Sequence, residues 1–358
     1  MYGFNAMTVQ KKNIRHFSKE DLEAEIKTLG EAGFRAKQVW QWVWQKGASS
    51  FEEMTNLPKD FREKLSQHFD VYKMTVETKQ VSSDGTIKCG FRLYDGELVE
   101  GVLIPQDKRM TACISSQVGC SLACSFCATA RLPRKRNLFY DEIYDQVDLI
   151  NRIALEHYNV HLSNIVFMGM GEPLLNYSQV SKAIERITAE DGLGMAPKRI
   201  TLSTAGIAKM IHKLGDEEVK FNLALSLHAA NDEKRNKIMA INETNSLSAL
   251  KDALKHFYNK TGTRVTFEYV MLQGFNDTME DAKELAEFCR VIPSKVNLIE
   301  YNEIEDGLYQ KSSGNALHRF KDYLDSKGII ANVRRSRGED IDAACGQLAN
   351  KNQAAVEA

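Results

Sequence analysis

Three cysteines fall within one short stretch, Cys120-Ser-Leu-Ala-Cys124-Ser-Phe-Cys127. Three thiolates on one loop can ligate three irons of a 4Fe–4S cubane, which soft sulfur ligands suit. No fourth cysteine lies nearby, so one iron is left open to a small-molecule ligand. A structural zinc site takes four ligands, and a ferredoxin-like carrier would supply the fourth cysteine. Cys124-x-x-Cys127 alone would fit a redox or a zinc site; the full triplet, with Phe126 before its last member, points to the cluster. Cys89, Cys113, Cys289 and Cys345 complete a set of seven. That odd count argues against a disulfide framework.

A second polar constellation follows further along. Gly169-Met170-Gly171-Glu172-Pro173 closes an apolar run. Glycine there lets backbone approach a ligand, and Glu172 can accept a hydrogen bond from an ammonium group. It is no dinucleotide fingerprint, because Leu174 stands where a third glycine belongs. Ser203, the run Ser226-Leu227-His228 and Asn302 each end another apolar segment. Singly they read as loop residues or caps; together they fall where a barrel binds its ligand. Arg131, Arg134, Lys135 and Arg136 follow the cysteine loop, and Arg334, Arg335 and Arg337 precede Cys345. Such clusters can hold RNA phosphates while a base enters the site.

The elements that must position these groups are legible in the periodicity. Beyond Pro105, apolar strands are expected near Met110–Ser115, Asn164–Met168, Arg199–Leu202, Phe221–Leu225, Val265–Val270 and Val296–Leu298. Amphipathic helices separate them around 140–156, 178–189, 246–258 and 279–290. This β-α alternation predicts an α/β domain with a parallel sheet and ligands at the C-terminal strand ends. Residues 75–104 alternate with turns at Asp84-Gly85 and Asp95-Gly96, the pattern of a β-meander. Before them, Ser18 with Asp21 starts one helix. A second follows Gly33, with Ala36, Val39, Trp40, Val43 and Trp44 on one face, and ends at Gly47. A third follows Pro58. The expected division is a helical N-terminal domain (1–72), a meander linker (73–104), a catalytic domain (105–349) and a polar tail (350–358).

Lys plus Arg (47) and Asp plus Glu (48) cancel over 358 residues, so net charge predicts no nucleic-acid partner and any RNA surface must be local. No run approaches a membrane span. The N-terminus lacks the apolar stretch of a signal peptide, so a cytoplasmic protein without membrane contact is expected. Met7 is an alternative start.

The cysteine loop resembles that of the radical S-adenosylmethionine (SAM) superfamily. The resemblance implies a partial (β/α) barrel, a 4Fe–4S cluster on Cys120, Cys124 and Cys127, and SAM chelated to the open iron and cleaved to a 5′-deoxyadenosyl radical. The stretches VEGVLIP, CISSQVGCSLACSFCATA, MGMGEPLLN, SLHAAND, VNLIEYN and RGEDIDAACGQL are similar to those of the RlmN-type dual-specificity RNA methyltransferases. FRAKQVWQWVWQKG extends the match into the helical domain. On that resemblance Gly171, Glu172, Ser203, Ser226, Leu227, His228 and Asn302 bind SAM. One SAM methylates the thiolate of Cys345. A radical made from a second takes hydrogen from that S-methyl group, and the resulting methylene adds to carbon 2 of adenine. Cys113 then resolves the crosslink, leaving a Cys113–Cys345 disulfide, and Glu100 accepts a proton.

The implied substrates are adenine 2503 of 23S rRNA and adenine 37 of tRNAs. The implied partners are an external one-electron reductant and a disulfide reductant, and the enzyme is expected to act as a monomer. A sister family methylates carbon 8 of the same adenine with the same cysteines; Gln117-Val118-Gly119 and SLACSFCATA look more like the carbon-2 enzymes. An iron–sulfur redox protein without catalysis would need neither Cys345 nor Glu100. Glu300-Tyr301 departs from the family's pattern and sets a carboxylate beside Asn302. Cys89 and Cys289 match no motif and are read as structural.

Overall fold

The computed structural model describes residues 11–351. Met7 and the tail beyond Lys351 lie outside the described residues. The chain forms two units. One holds the chain up to Met74 together with Glu185–Gly194; the other holds Thr75–Ile184 and Met195 onward.

In the first unit, α1 (Lys19–Thr28) starts at Ser18, whose Oγ accepts from the Asp21 amide at 3.0 Å. After α2 (Phe34–Gln41) the helix widens by one π turn, Trp42–Lys46, and stops at Gly47 with φ +70°. α3 (Lys59–His68) follows Pro58. Val39, Trp40, Val43, Trp44, Phe61 and Leu65 are the buried core these helices share. Asp191 belongs to the same unit: it accepts from Trp40 Nε1 at 3.1 Å and pairs with Arg186 at 2.7 Å.

The second unit is built on one ten-stranded sheet. Its strands are β1 (Thr75–Val81), β2 (Ile87–Arg92), β3 (Leu98–Gln106), β4 (Arg109–Cys113), β5 (Asn164–Phe167), β6 (Ile200–Thr204), β7 (Asn222–Ser226), β8 (Val265–Met271), β9 (Ser294–Glu300) and β10 (Ala331–Arg334). They lie side by side in chain order, with β1 and β10 as the two edges. β1 to β4 pair antiparallel, and every later neighbour runs parallel. The crossovers carry α4 (Tyr140–Tyr158), α5 (Tyr177–Thr188), α6 (Ala208–Asp216), α7 (Asp232–Ile238), α8 (Leu247–Thr261), α9 (Met279–Cys289) and α10 (Gly314–Ser326). An open, mostly parallel sheet with helical crossovers is the α/β architecture expected above. α6, α7, α10 and β10 were not foreseen. The residues read as a meander linker supply β1 to β3 of this same sheet, and position 104 falls inside β3.

Local chemistry sets the ends. Ser246 Oγ caps α8, which stops at Gly262 with φ +65°, and Thr278 with Asp281 forms a reciprocal capping box on α9. β8 is buried along its whole length, as a strand covered on both faces must be. No helix among the described residues is long and apolar enough to cross a membrane.

Candidate active site

The cysteine loop leaves the sheet at the end of β4. It is pinned where Gln117–Val118 pairs antiparallel with Arg136–Asn137 and where the Cys120 amide donates to Leu132 O at 3.3 Å. Gly119 turns with φ +74°, and a Cβ there would lie 2.3 Å from Pro133 O, so only glycine fits. The loop rests on an apolar cluster of Leu122, Ala205, Ile238, Met239, Val270 and Tyr301, against which Cys120, Cys124 and Phe126 pack. Burial raises all three loop thiols above the usual range. Apolar surroundings disfavour a bare thiolate, whereas a bound metal removes the proton outright.

The donor set fits a cluster better than a single ion. Tetrahedral thiolates on one zinc stand about 3.8 Å apart, from Zn–S bonds of about 2.3 Å. Among the described residues, the set of three side chains whose ligand atoms all lie within 4.8 Å of one another is His212, Asp216 and His256. The three loop thiols, with no fourth cysteine on the loop, suit a cubane with one open iron. The histidine set itself is poorly aimed. Its two imidazoles stack at 3.5 Å with only 7° between planes, so their in-plane lone pairs do not converge on one point. Asp216 bridges the two rings from the exposed face of α6.

Beside the loop, Ser115 donates to Glu100 O at 2.6 Å and accepts from the Met170 amide at 2.8 Å. That stitch sets the strand end from which Gly171 and Glu172 project. Gly171 has φ +94°, and a Cβ would fall 2.5 Å from Gln117 Cβ. Gln117 Oε1 in turn accepts from the Glu172 amide at 2.9 Å. The Glu172 carboxylate is buried and accepts from two backbone amides, Leu174 at 3.0 Å and Ala205 at 2.7 Å. Burial nevertheless raises its pKa. Thr204 adds a side-chain hydrogen bond, and a carboxylate with about four acceptor sites still has capacity for a cationic ligand.

The next strand ends meet the same space. Ser203 Oγ on β6 and Ser226 Oγ on β7 are 3.4 Å apart. Leu227 is fully buried, and its amide donates to Glu268 O. His228 adopts φ +57°, lies edge-on to Phe126 at 4.8 Å, and accepts the Val270 amide on Nδ1 at 3.0 Å. Burial lowers its pKa to about 3. The ring is neutral, and Nε2 carries the hydrogen it can donate.

Asn302 serves another neighbour. Its Nδ2 donates to Cys345 O at 3.1 Å, and Ser336 Oγ donates to its Oδ1. The Asn302 side chain thus anchors the Cys345 segment. Glu300, next in line, pairs with Lys311 at 3.5 Å.

Cys345 rides on a strap, residues 343–350, tied down at several points. Ala128 N donates to Gly346 O at 2.7 Å, Thr129 Oγ1 to Leu348 O at 2.6 Å, and Gln347 Nε2 to Glu303 O at 3.1 Å. Its end is clipped by Glu100, whose Oε2 accepts from the Ala349 and Asn350 amides at 2.9 and 3.0 Å. Cys345 bears electrostatically on both Cys113 and Cys127, so the strap brings it into the neighbourhood of both thiols. Burial pushes Cys113 up to about 12, while Arg334 opposes the shift. None of the seven cysteines is in a disulfide. Cys89 and Cys289 are buried in β2 and α9.

Three groups escaped sequence reasoning. Arg235, fully buried on α7, donates to Leu227 O, Ser226 O, Ala205 O and Asn242 Oδ1 and so ties together the ends of β6 and β7. Lys88 is buried against Glu100. Arg334 turns inward to Met168 Sδ and Glu268 rather than outward. Only Lys88 carried a signal, a basic residue between Ile87 and Cys89; Arg235 lies in the charged run Asp232-Glu233-Lys234-Arg235-Asn236-Lys237, and Arg334 was read among the phosphate contacts. Of the basic cluster after the loop, Lys135 pairs with Glu97 and Arg136 with Asp95 and Glu142. Arg134 is exposed.

Comparison with known proteins gives a consistent picture. Residues 12–71 match the family model described as Ribosomal RNA large subunit methyltransferase N-terminal domain, and residues 114–289 that of the Radical SAM superfamily. The probable dual-specificity RNA methyltransferase RlmN of Cytophaga hutchinsonii is 61% identical over 96% of this chain and 94% of that protein. The dual-specificity RNA methyltransferase RlmN of Campylobacter jejuni subsp. jejuni is 43% identical over 94% of this chain and 97% of its own length. A crystal structure of a radical SAM methyltransferase from Sphaerobacter thermophilus superposes with a TM-score of 0.89 at 38% identity, covering 94% of this chain and 99% of that one.

Proposed function

Because the chain belongs to the RlmN family of dual-specificity RNA methyltransferases, radical SAM enzymes, we propose that it methylates carbon 2 of adenine 2503 in 23S rRNA and of adenine 37 in tRNAs. Carbon 2 is an electron-poor sp² carbon and cannot attack a methyl sulfonium as nitrogen or oxygen would, so a radical route is required. A 4Fe–4S cluster on Cys120, Cys124 and Cys127, with SAM, would supply a carbon radical able to take hydrogen from a methyl group.

The protein's own residues then divide the work. Glu172 holds the SAM ammonium, with Gly171 leaving room for it. Ser203, Ser226, Leu227, His228 and Asn302 line the rest of the pocket. The Cys345 thiolate accepts a methyl group at Sγ, which becomes the carbon delivered to adenine. Glu100 takes the proton from carbon 2 of the radical adduct, whose unpaired electron would return to the cluster, leaving a closed-shell thioether. Cys113 Sγ attacks Cys345 Sγ, the C–S bond to the RNA breaks, and the released carbon gains a proton to become methyl. The two sulfurs leave as a disulfide. An external electron donor feeds the cluster, and a disulfide reductant restores the thiols. That demand, with the RNA substrate, places the enzyme in the cytoplasm.

The observation that carries this reading is the strap: it brings Cys345 to Cys113 and Cys127 at once, with Glu100 fastened to the same segment. Anaerobic reconstitution with RNA, followed by mass spectrometry of digested product, tests it. The expected product is 2-methyladenosine from wild type and none from Cys345→Ala. The 8-methyl isomer would move the chain's reaction to the sister chemistry, and methylation by Cys345→Ala would remove the covalent route.

A further inference from the structure

Lysine is almost never fully buried unless paired, yet Lys88 on β2 is 4% exposed, as is the Glu100 side chain beside it, with Nζ 3.4 Å from Oε1. The sheet register explains how they meet. Lys88 stands opposite Val102 and Gly90 opposite Glu100, so Lys88 and Glu100 are diagonal neighbours on one face. Cys113 also stands opposite Val102 and shares that face. The other face of β3 lies under α4, where Ile150 approaches Gly101.

A buried ion pair is weak evidence for stability, since desolvation offsets most of the attraction. This pair stands where the reaction needs an ionised carboxylate. We propose that Lys88 is a positioning residue of the methyl transfer, holding the Glu100 carboxylate in the orientation that fastens it to the strap that carries Cys345. This rests on the reading of Glu100 as the proton acceptor.

The two carboxylate oxygens have different partners: Oε1 faces Lys88 from β2, and Oε2 accepts the Ala349 and Asn350 amides of the strap. The charges flanking the strap, Asp342 and Lys351, pair with each other at 3.3 Å. Lys88 thus grips one oxygen of the carboxylate while the other clips the strap, and charge-assisted contacts of this kind are the strong ones. Without Lys88, Glu100 keeps its burial and loses its cationic partner, so the carboxylate is free to turn from the strap.

The test compares reconstituted wild type with Lys88→Met, Lys88→Arg and Glu100→Gln in RNA methylation, with covalent RNA–protein adduct followed on denaturing gels. In Lys88→Met turnover should fall by about tenfold or more and adduct should accumulate, as it should in Glu100→Gln. Lys88→Arg, which keeps the charge, should restore both readouts toward wild type. Turnover and adduct level in Lys88→Met equal to wild type, while Glu100→Gln is inactive, overturn the proposal for Lys88 alone. Undiminished turnover by Glu100→Gln removes the reading beneath it. Should Lys88→Met fail to fold, Lys88→Arg decides: adduct that accumulates in it as in Glu100→Gln shows that the retained charge is not what matters, and overturns the proposal.

Discussion

Replacing Arg235 by methionine should loosen the pocket more than any change to a residue that faces it. The guanidinium, itself fully buried, donates at 3.0 Å to Leu227 O, 2.5 Å to Ala205 O, 3.2 Å to Ser226 O and 2.7 Å to Asn242 Oδ1. Burial lowers its pKa to about 10, which leaves it charged at neutral pH. Methionine fills similar volume and removes the cost of burying a charge, but the acceptors stay behind. Each buried carbonyl stripped of its donor costs about 1–3 kcal/mol. Asn242 suffers least, because its Nδ2 keeps Asp232 and Asn236. With the relieved desolvation set against three stranded carbonyls, the net loss should be about 3–5 kcal/mol. At about 2 °C per kcal/mol for a chain of this size, the melting midpoint should fall by about 6–10 °C. Arg235→Lys keeps the charge but has one nitrogen in place of a fork, so it should lose about half as much. Calorimetry of the anaerobically isolated protein measures both, and SAM titration should show weaker binding, since Ser226 and Ala205 move with the clamp. A midpoint within about 2 °C of wild type for Arg235→Met would refute the reasoning, because the carbonyls would then have found other partners.

Two further outcomes follow from neighbouring groups. Gly171→Ala forces a Cβ to within 2.5–2.9 Å of Gln117, backbone nitrogen included, at φ +94°; it should displace Gln117 from the Glu172 amide and abolish SAM binding to the reduced cluster, read by electron paramagnetic resonance, while iron content stays intact. His228 is held near pKa 3 in the folded state against about 6.5 unfolded, so below pH 6.5 the unfolded chain binds a proton that the native protein refuses. Its contribution to stability is whole above pH 6.5 and lost as the pH falls toward 3, about 2 kcal/mol by pH 5. Urea denaturation at stepped pH should show this slope, and His228→Gln should reduce it by one proton.

The parts of this fold that were legible are those governed by local rules. Alternation and turn residues marked β1 to β3, and an apolar run followed by a polar loop marked β4 to β9. Ser18 announced its helix through its side-chain cap; the structure adds the caps of Ser246 and Thr278. α6 and α7 went unseen because they are short, and β10 because Ala331–Arg334 offers four residues ending in a charge. The loop cysteines were legible because the ligand spacing is itself local. Arg235, Lys88 and the turned-in Arg334 were not, since a basic residue reads as solvated until its partners in other parts of the chain are known. Asn302 was expected to face the cofactor. In the structure its side chain holds Cys345 O and Ser336, a contact across about forty residues that no periodicity reveals.

The strands of the larger unit lie in the sheet in the order in which they are made. Each one leaving the ribosome therefore finds its partner already in place, and the sheet can grow from β1 to β10 with few long-range closures. The strap is the last piece laid down. The three loop thiols are present on a nascent chain that still lacks Cys345, so on the proposed function iron could be taken up before that sulfur arrives. Order of synthesis would thereby separate the thiols proposed to hold metal from the one proposed to change partners.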